Sequence, residues 1–433
     1  MKRYDSYKDS GVDWIGEIPS HWLETKLKNL GNVTLGKMLT NEDKGGFSLR
    51  PYLRSFNVQV ERVDISEVKE MWFSEKEMSE LRLLKGDLLF NEGGDVGRTS
   101  IWDEEIPECY IQNSVNRVRV KGKSRYFLYV SGLHHNTGYY DSQVNRVSIP
   151  HLTKEKLENI LFLSPPLHEQ EQIVEYLDRK TTLIDSLIEK TVRKIELLKE
   201  KRTSLINEVV TKGLNPDVEM KDSGVEWIGE IPSHWSLKRL SWVASTGSGT
   251  TPKSSNDSYY SGGTINWLIT GDLNDDVVLD TSKKITPKAL EECRLTTYPI
   301  GSIVVAMYGA TIGKLCQLGV ETTVNQACCV LSSFKGILPK QVFYRILSSR
   351  DYLLFLGDGG GQPNISQEDV RSLQIPTPPL HEQEQIVEYL DEQTSIIDST
   401  ITTEEKRIEL LKEYRQSMIS EVVTGKVKVT RDE

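Results

Sequence analysis

"PPLHEQEQIVEYLD" runs from Pro165 to Asp178, and the same fourteen letters return from Pro378 to Asp391, 213 positions later. The match continues at the same offset. "KDSGVDWIGEIPSHW" (8–22) returns as "KDSGVEWIGEIPSHW" (221–235), with only Asp13 replaced by Glu226. "KIELLKE" (194–200) returns as "RIELLKE" (407–413), and "SLINEVVT" (204–211) as "SMISEVVT" (417–424). The period is too long for a solenoid and implies two similar halves. Each half reads as a short linker, a variable block, a Pro-Pro turn and a helix. Enzyme sites are rarely duplicated so literally; a structural joint that is used twice can be.

After each Pro-Pro pair the pattern becomes helical. Proline is tolerated at a helix start, and Glu169, Glu171 and Glu175 suit the positive end of the helix dipole. Steps of four and three then give Ile184, Ile188, Thr191, Ile195, Leu198, Arg202, Leu205 and Val209. The second half gives Ile397, Ile401, Glu404, Ile408, Leu411, Arg415, Met418 and Val422. This is a coiled-coil seam with polar interruptions at matching places. Gly213 and Gly425 are the expected stops. A helix from 167 to 211 would be roughly 65 Å long. Its apolar stripe needs a cover, and the other half offers the same stripe. An antiparallel intramolecular pair is the economical solution, with the two halves related by a pseudo-two-fold axis.

The chain has 433 residues, 37% of them hydrophobic, enough to bury ordinary cores, and its length suggests two to four domains. No stretch approaches a membrane span, and the start carries no apolar signal region. Five cysteines without a CxxC argue against a disulfide framework or a zinc ribbon and fit a reducing cytoplasm. The net charge of −10 is not spread evenly. Residues 24–165 hold 20 basic and 20 acidic side chains, and 236–378 hold 13 and 12, so the acidity lies in the repeated helices and linkers. A basic face on either near-neutral block is compatible with nucleic-acid binding.

The blocks contain short β-rich runs broken by Gly, Asn, Asp and Pro. "GDLLFNEGGDVGRTSIW" (86–102) sits over "GSIVVAMYGATIGKLCQ" (301–317), and "IQNSVNRV" (111–118) over "VNQACCV" (324–330). The same fold with different surface chemistry is expected. Gly-rich turns present backbone N–H groups that meet phosphates or bases, with Arg98 or Lys314 beside them. Gln112, Asn113, Asn325 and Gln326 carry amides suited to adenine, and Arg117 could address guanine. The candidate DNA contacts are therefore Gly93, Gly94, Asp95, Arg98, Gln112, Asn113, Asn116 and Arg117 in the first block. In the second they are Thr250, Thr251, Lys253, Tyr308, Gly309, Thr311, Lys314, Asn325 and Gln326. A tight hairpin alone would also explain Gly93, Gly94 and Gly309.

Catalytic motifs fail on inspection. "GATIGK" (309–314) has three residues where a phosphate loop needs four, and Leu315 where it needs Ser or Thr. "HEQEQ" (168–172 and 381–385) lacks the second His of a zinc helix. "SPPL" and "TPPL" echo the Pro-Pro loop of amino-methyltransferases, but Leu167 and Leu380 stand where an aromatic would stack on the base. His21, His234, His168 and His381 match between the repeats and read as structural. His134 and His135 lack ligands at metal spacing. No catalytic residue and no metal site is assigned.

The repeat, the "PPLHEQEQI" helix start, the "GGQPNIS" stretch (360–366) and the Asn-Gln after the GATIGK turn together resemble the specificity subunits of Type I restriction–modification systems. The likeness covers essentially the whole chain. It implies an α+β fold with two β-rich target recognition domains separated by two long antiparallel helices. The organisation is then a linker (1–23), recognition domain 1 (24–165), the central helix (166–213), a second linker (214–236), recognition domain 2 (237–378), the C-terminal helix (379–425) and a tail (426–433). In that family each recognition domain reads half of a split site in double-stranded DNA. The repeated helices dock two methyltransferase subunits, which bind S-adenosylmethionine, and two motor-nuclease subunits can add. No cofactor, no catalysis and no membrane are expected of this chain, and a cytoplasmic location is. Docking is assigned to Pro166, Glu169, Gln170, Ile173 and Leu177, and to Pro379, Glu382, Gln383, Ile386 and Leu390. The first block has "GGDVGR" and "IQNSVNR" where the family pattern has GATIGK and NQA, so the two half-sites should differ. Two rival readings remain: a protein-binding adaptor with two unlike domains, and a DNA methyltransferase in its own right.

Overall fold

Leu88, Leu89 and Phe90 are fully buried, as are Ile303 to Ala306, so these two apolar runs are central strands covered on both faces. Around each of them a recognition block is built. The computed structural model describes residues 2–12, 14–144, 151–357 and 363–429; residues 360–362 of the GGQPNIS stretch and the end of the tail lie outside them. The chain divides into two units, residues 1–192 with 406–433, and residues 193–405.

In the first unit a hairpin pairs Tyr7–Asp9 with Glu17–Pro19. Strand Leu23–Lys26 then pairs antiparallel with Leu161–Ser164, which brings the two ends of the block together just before the helix. Between them lies a four-stranded sheet in the order Thr99–Ile101, Leu88–Asn91, Val115–Val120, Gly31–Leu35. A three-stranded sheet in the order Tyr110–Ile111, Ser48–Leu53, Lys69–Phe73 lies beyond it. Helix Ser124–Asn136 closes the core with Tyr126, Phe127, Tyr129 and Leu133.

The second unit repeats this plan. Its hairpin pairs Met220–Asp222 with Glu230–Pro232, and Ser236–Arg239 pairs with Gln374–Thr377. The main sheet has five strands, in the order Ser245–Ser248, Cys328–Ser332, Ile303–Ala306, Leu315–Leu318, Val277–Val278, the last pair parallel. The smaller sheet runs Lys284–Ile285, Ile265–Leu268, Thr323–Val324. Helix Pro339–Ser348 takes the closing position.

The long helices run over Leu167–Lys212 and Leu380–Val423. Both end at the expected glycines, Gly213 at φ +76° and Gly425 at φ +72°, a left-handed turn that costs glycine little. Most of the apolar seam is buried, including Ile184, Ile195, Val209, Ile397, Ile401, Met418 and Val422. The polar interruptions are matched. In the second unit Lys194 meets Glu404 at 2.5 Å and Arg202 meets Asp398 at 2.9 Å, which fixes an antiparallel register. In the first, Arg415 meets Asp185 at 3.0 Å.

Candidate nucleic-acid interface

Antiparallel pairing puts the end of one strand beside the start of the next, so the loops named above collect at one end of each main sheet. In the second unit Met307 N–H donates to the Ala327 carbonyl at 2.8 Å and Asn325 N–H to the Leu268 carbonyl at 3.0 Å. Gly249 lies so close to the Val324 carbonyl that any Cβ there would collide with it. Thr250, Thr251, Tyr308, Gly309, Thr311, Lys314, Asn325 and Gln326 are thereby brought to one edge. Thr250, Thr251, Tyr308, Lys314 and Gln326 are exposed on it, and exposed Lys253 follows in the same loop. Gly309 has φ +64° and donates its N–H to the Pro363 carbonyl at 2.9 Å. Thr311 Oγ1 is spent on the Tyr308 carbonyl at 2.8 Å.

The first unit forms the equivalent edge. Asn113 N–H donates to the Lys37 carbonyl at 2.9 Å, and Gln112 N–H to the Leu53 carbonyl at 2.9 Å. Gly36 presses on the Gln112 carbonyl as Gly249 presses on Val324. Both glycines follow a strand at the common 213-residue offset, the signal that would have found them. Gly93, Gly94, Asp95, Arg98, Gln112 and Asn113 are together here, with exposed Met38 and Leu39 beside them. Several are already engaged. Asp95 pairs with His135 at 2.6 Å, Arg98 donates to the Ser55 carbonyl at 2.9 Å, and Gln112 Oε1 accepts from Ser114 at 2.8 Å.

Two candidates are corrected. Asn116 is fully buried and donates to the Leu152 carbonyl at 3.3 Å. Arg117 is 3% exposed. Its guanidinium donates to the carbonyls of Glu80 (2.9 Å) and Arg82 (3.0 Å) and to Thr34 Oγ1 (3.0 Å). Burial, with Arg119 nearby, lowers its pKa against the pull of Asp87. Both side chains lie within a core strand, aligned with Cys329 and Val330 of the other half; those apolar counterparts were the warning.

The duplicated helix start is also corrected. Glu169 is buried and accepts from His21 Nε2 at 2.5 Å and Trp22 Nε1 at 3.0 Å. Half-buried Glu382 accepts from His234 at 2.8 Å and Trp235 at 2.9 Å. Gln170 accepts from Lys123 N–H at 3.0 Å and donates to the Pro165 carbonyl at 2.9 Å. Gln383 likewise accepts from Leu338 N–H at 2.8 Å and donates to the Pro378 carbonyl at 2.9 Å. Ile173, Leu177, Ile386 and Leu390 are core residues. These side chains join linker, helix and recognition block within one unit, and of the candidates among them Glu382 alone keeps a quarter of its side chain exposed. Of the docking candidates only Pro379 is exposed, with Pro166 and Glu382 half-buried; Leu167, His168, Glu171, Leu380 and His381 are exposed on the same turns.

The buried titratable groups do not form a reaction centre. Burial among aromatic rings pulls the pKa of His134 down to about 3, and burial pushes the thiols of Cys316 and Cys329 up to about 12. Among the described residues no cluster of His, Cys, Asp and Glu could hold a metal ion, and no helix is long and apolar enough to cross a membrane.

A family model described as the Type I restriction modification DNA specificity domain matches residues 19–197 and again 232–413. A putative type I restriction enzyme specificity subunit, MjaX of Methanocaldococcus jannaschii, is 26% identical over 96% of both chains. A chain from a structure described as the basis of complex assembly and conformational transition of the type I R-M system superposes with a TM-score of 0.73. It covers 94% of this chain and 98% of its own at 15% identity. The HsdS subunit from Thermoanaerobacter tengcongensis gives 0.57 over 95% and 98%, at 16% identity.

Proposed function

Because this chain belongs to the Type I restriction–modification DNA specificity family, we propose that it reads a split site in double-stranded DNA, one half at each sheet edge, and carries two methyltransferase subunits. As a specificity subunit it recognises rather than catalyses. The observation that carries the reading is the gathering of exposed Thr250, Thr251, Tyr308, Lys314 and Gln326 at one sheet edge, with an equivalent edge in the other unit. A cation and backbone N–H groups there suit phosphates, and an amide suits a base edge. Unlike residues at the two edges give unlike half-sites.

The methyltransferase subunits supply S-adenosylmethionine and the transfer chemistry, and two motor-nuclease subunits can add to this assembly in the cytoplasm. Docking uses the exposed faces of the long helices near Leu167 and Leu380, since the inner face is filled by each unit's own core. Native mass spectrometry of the co-expressed proteins tests this. Two methyltransferase subunits per chain are expected at saturation; one per chain overturns the docking reading.

A further inference from the structure

Glu61 and Asp275 occupy the same place in their units. Each is a non-glycine residue in the left-handed region, at φ 59° and 60°. Each donates its N–H to an equivalent strand, Glu61 to the Thr99 carbonyl at 3.1 Å and Asp275 to the Leu315 carbonyl at 2.9 Å. Holding a non-glycine residue there costs free energy that the surroundings must offset. An arginine of a long helix is near each acid: Arg415 binds Glu61, and Arg202, 213 positions earlier, lines one cleft with Asp275.

Their pairing differs. Arg415 grips both oxygens of Glu61, at 2.9 and 3.3 Å, while its Nε is held by Asp185 at 3.0 Å. Asp275 is shorter by one methylene and is taken by Arg350 of its own recognition domain at 2.5 Å. Arg202 keeps only the helix-to-helix pair with Asp398 among the ion pairs of the described residues. Between Asn274–Asp276 and Lys199, Arg202 and Thr203 a polar cleft of about 880 Å³ stays open. A second contact is common to both units. Tyr129 reaches Asp178 at 2.5 Å, and Tyr344 reaches Asp391 at 2.5 Å. Each domain is held to its helices by this tyrosine, by a cation on the same carboxylate (Arg125 on Asp178 at 2.9 Å, Lys340 on Asp391 at 3.2 Å) and by the glutamine bond to its backbone described above; the Glu61–Arg415 contact is an addition made in the first unit.

We propose that Glu61 and Arg415 are positioning residues that clasp the first recognition domain to the long helices, and that the second domain, without this clasp, is the one that tilts on its helices to meet DNA. The tilt rests on the DNA-reading function proposed above; the clasp does not. Spin labels at Ser66→Cys with Lys190→Cys, and separately at Leu279→Cys with Thr403→Cys, report each domain against its own helix in the full chain. Cys293, the half-exposed cysteine, is changed to Ser, and the other four are buried.

The expected distance distribution is narrow for the first pair and at least twice as broad for the second. Glu61→Gln and Glu61→Ala should each broaden the first pair and leave the second unchanged. Equal widths in the parent chain, or no response to either substitution, overturn the clasp. Duplex DNA carrying the mapped methylation site, added with the methyltransferase present, should then narrow the second distribution. If this duplex binds and the width stays, the tilt is wrong and DNA reading stands; if no duplex binds, the DNA-reading function itself fails while the clasp result remains.

Discussion

Lys314 stands exposed beside the Gly309 turn, whereas the charge of Arg117 is turned inward onto two carbonyls and a hydroxyl. Their substitutions should therefore fail in different assays. Lys314→Ala is expected to weaken DNA binding for every sequence and to reduce the salt slope by about one, with thermal stability unchanged. Gln326→Ala should relax discrimination at a single base pair by roughly 1–3 kcal/mol. Arg117→Met should instead destabilise the first unit, by roughly 1–3 kcal/mol for each acceptor left unpaired. Filter binding across salt concentrations, set beside thermal unfolding, separates the two outcomes. His134 offers a pH test. Its neutral form is held to a pKa of about 3 by burial, against an ordinary value of 6.5. Below pH 6.5 the unfolded chain takes up a proton that the folded chain refuses, so stability falls as pH falls toward 3, by about 1.4 kcal/mol per pH unit. His134→Phe should flatten that part of the profile, measured by denaturant unfolding between pH 7 and 5. At this scale the sequence yielded residue types and loop positions, but not which side of a strand each faced. Asn116 and Arg117 sit in a run with hydrophobics on either side, and only their counterparts Cys329 and Val330 betray the core.

The long helices were legible because their signals are local and repeated: a Pro-Pro start, a seam in steps of three and four, and a glycine stop. The joint at their start was visible as a repeat but not as a contact. A Trp and a Glu separated by 147 residues in each half meet only once the chain has folded. The two repeats matched most closely, Ser-His-Trp of the linker and His-Glu-Gln of the helix, are the ones that touch. Removing the acid should therefore loosen the helix from its block. Glu169→Ala and Glu382→Ala each lose two hydrogen bonds to a carboxylate, and bonds to charged groups contribute about 1.5–3 kcal/mol apiece. The loss should be larger at Glu169, whose side chain is 8% exposed, than at Glu382, at 25%. Hydrogen exchange at the first turns of each helix would record it; equal, negligible effects would show that Pro-Pro and core packing alone hold the joint.

In the whole molecule, one plan is used twice with different loops at the sheet edges. Each block is closed by a two-stranded pairing of its own ends, Leu23–Lys26 with Leu161–Ser164 and Ser236–Arg239 with Gln374–Thr377. An exchange at those strands leaves the hairpin, the Trp–Glu joint and the helix seam untouched. The duplication announced this modular plan in the sequence. The β-sheet order did not follow from it, because strand pairing across a block of some 140 residues leaves only short apolar runs to read. Two separately closed blocks imply that the two edges read DNA independently. Replacing 237–378 with the corresponding block of a relative and mapping methylated sites in cells that carry the partner subunit tests it most directly. One half-site should change, while the other half-site and the gap between them persist; if both half-sites change, recognition is shared between the blocks and not independent.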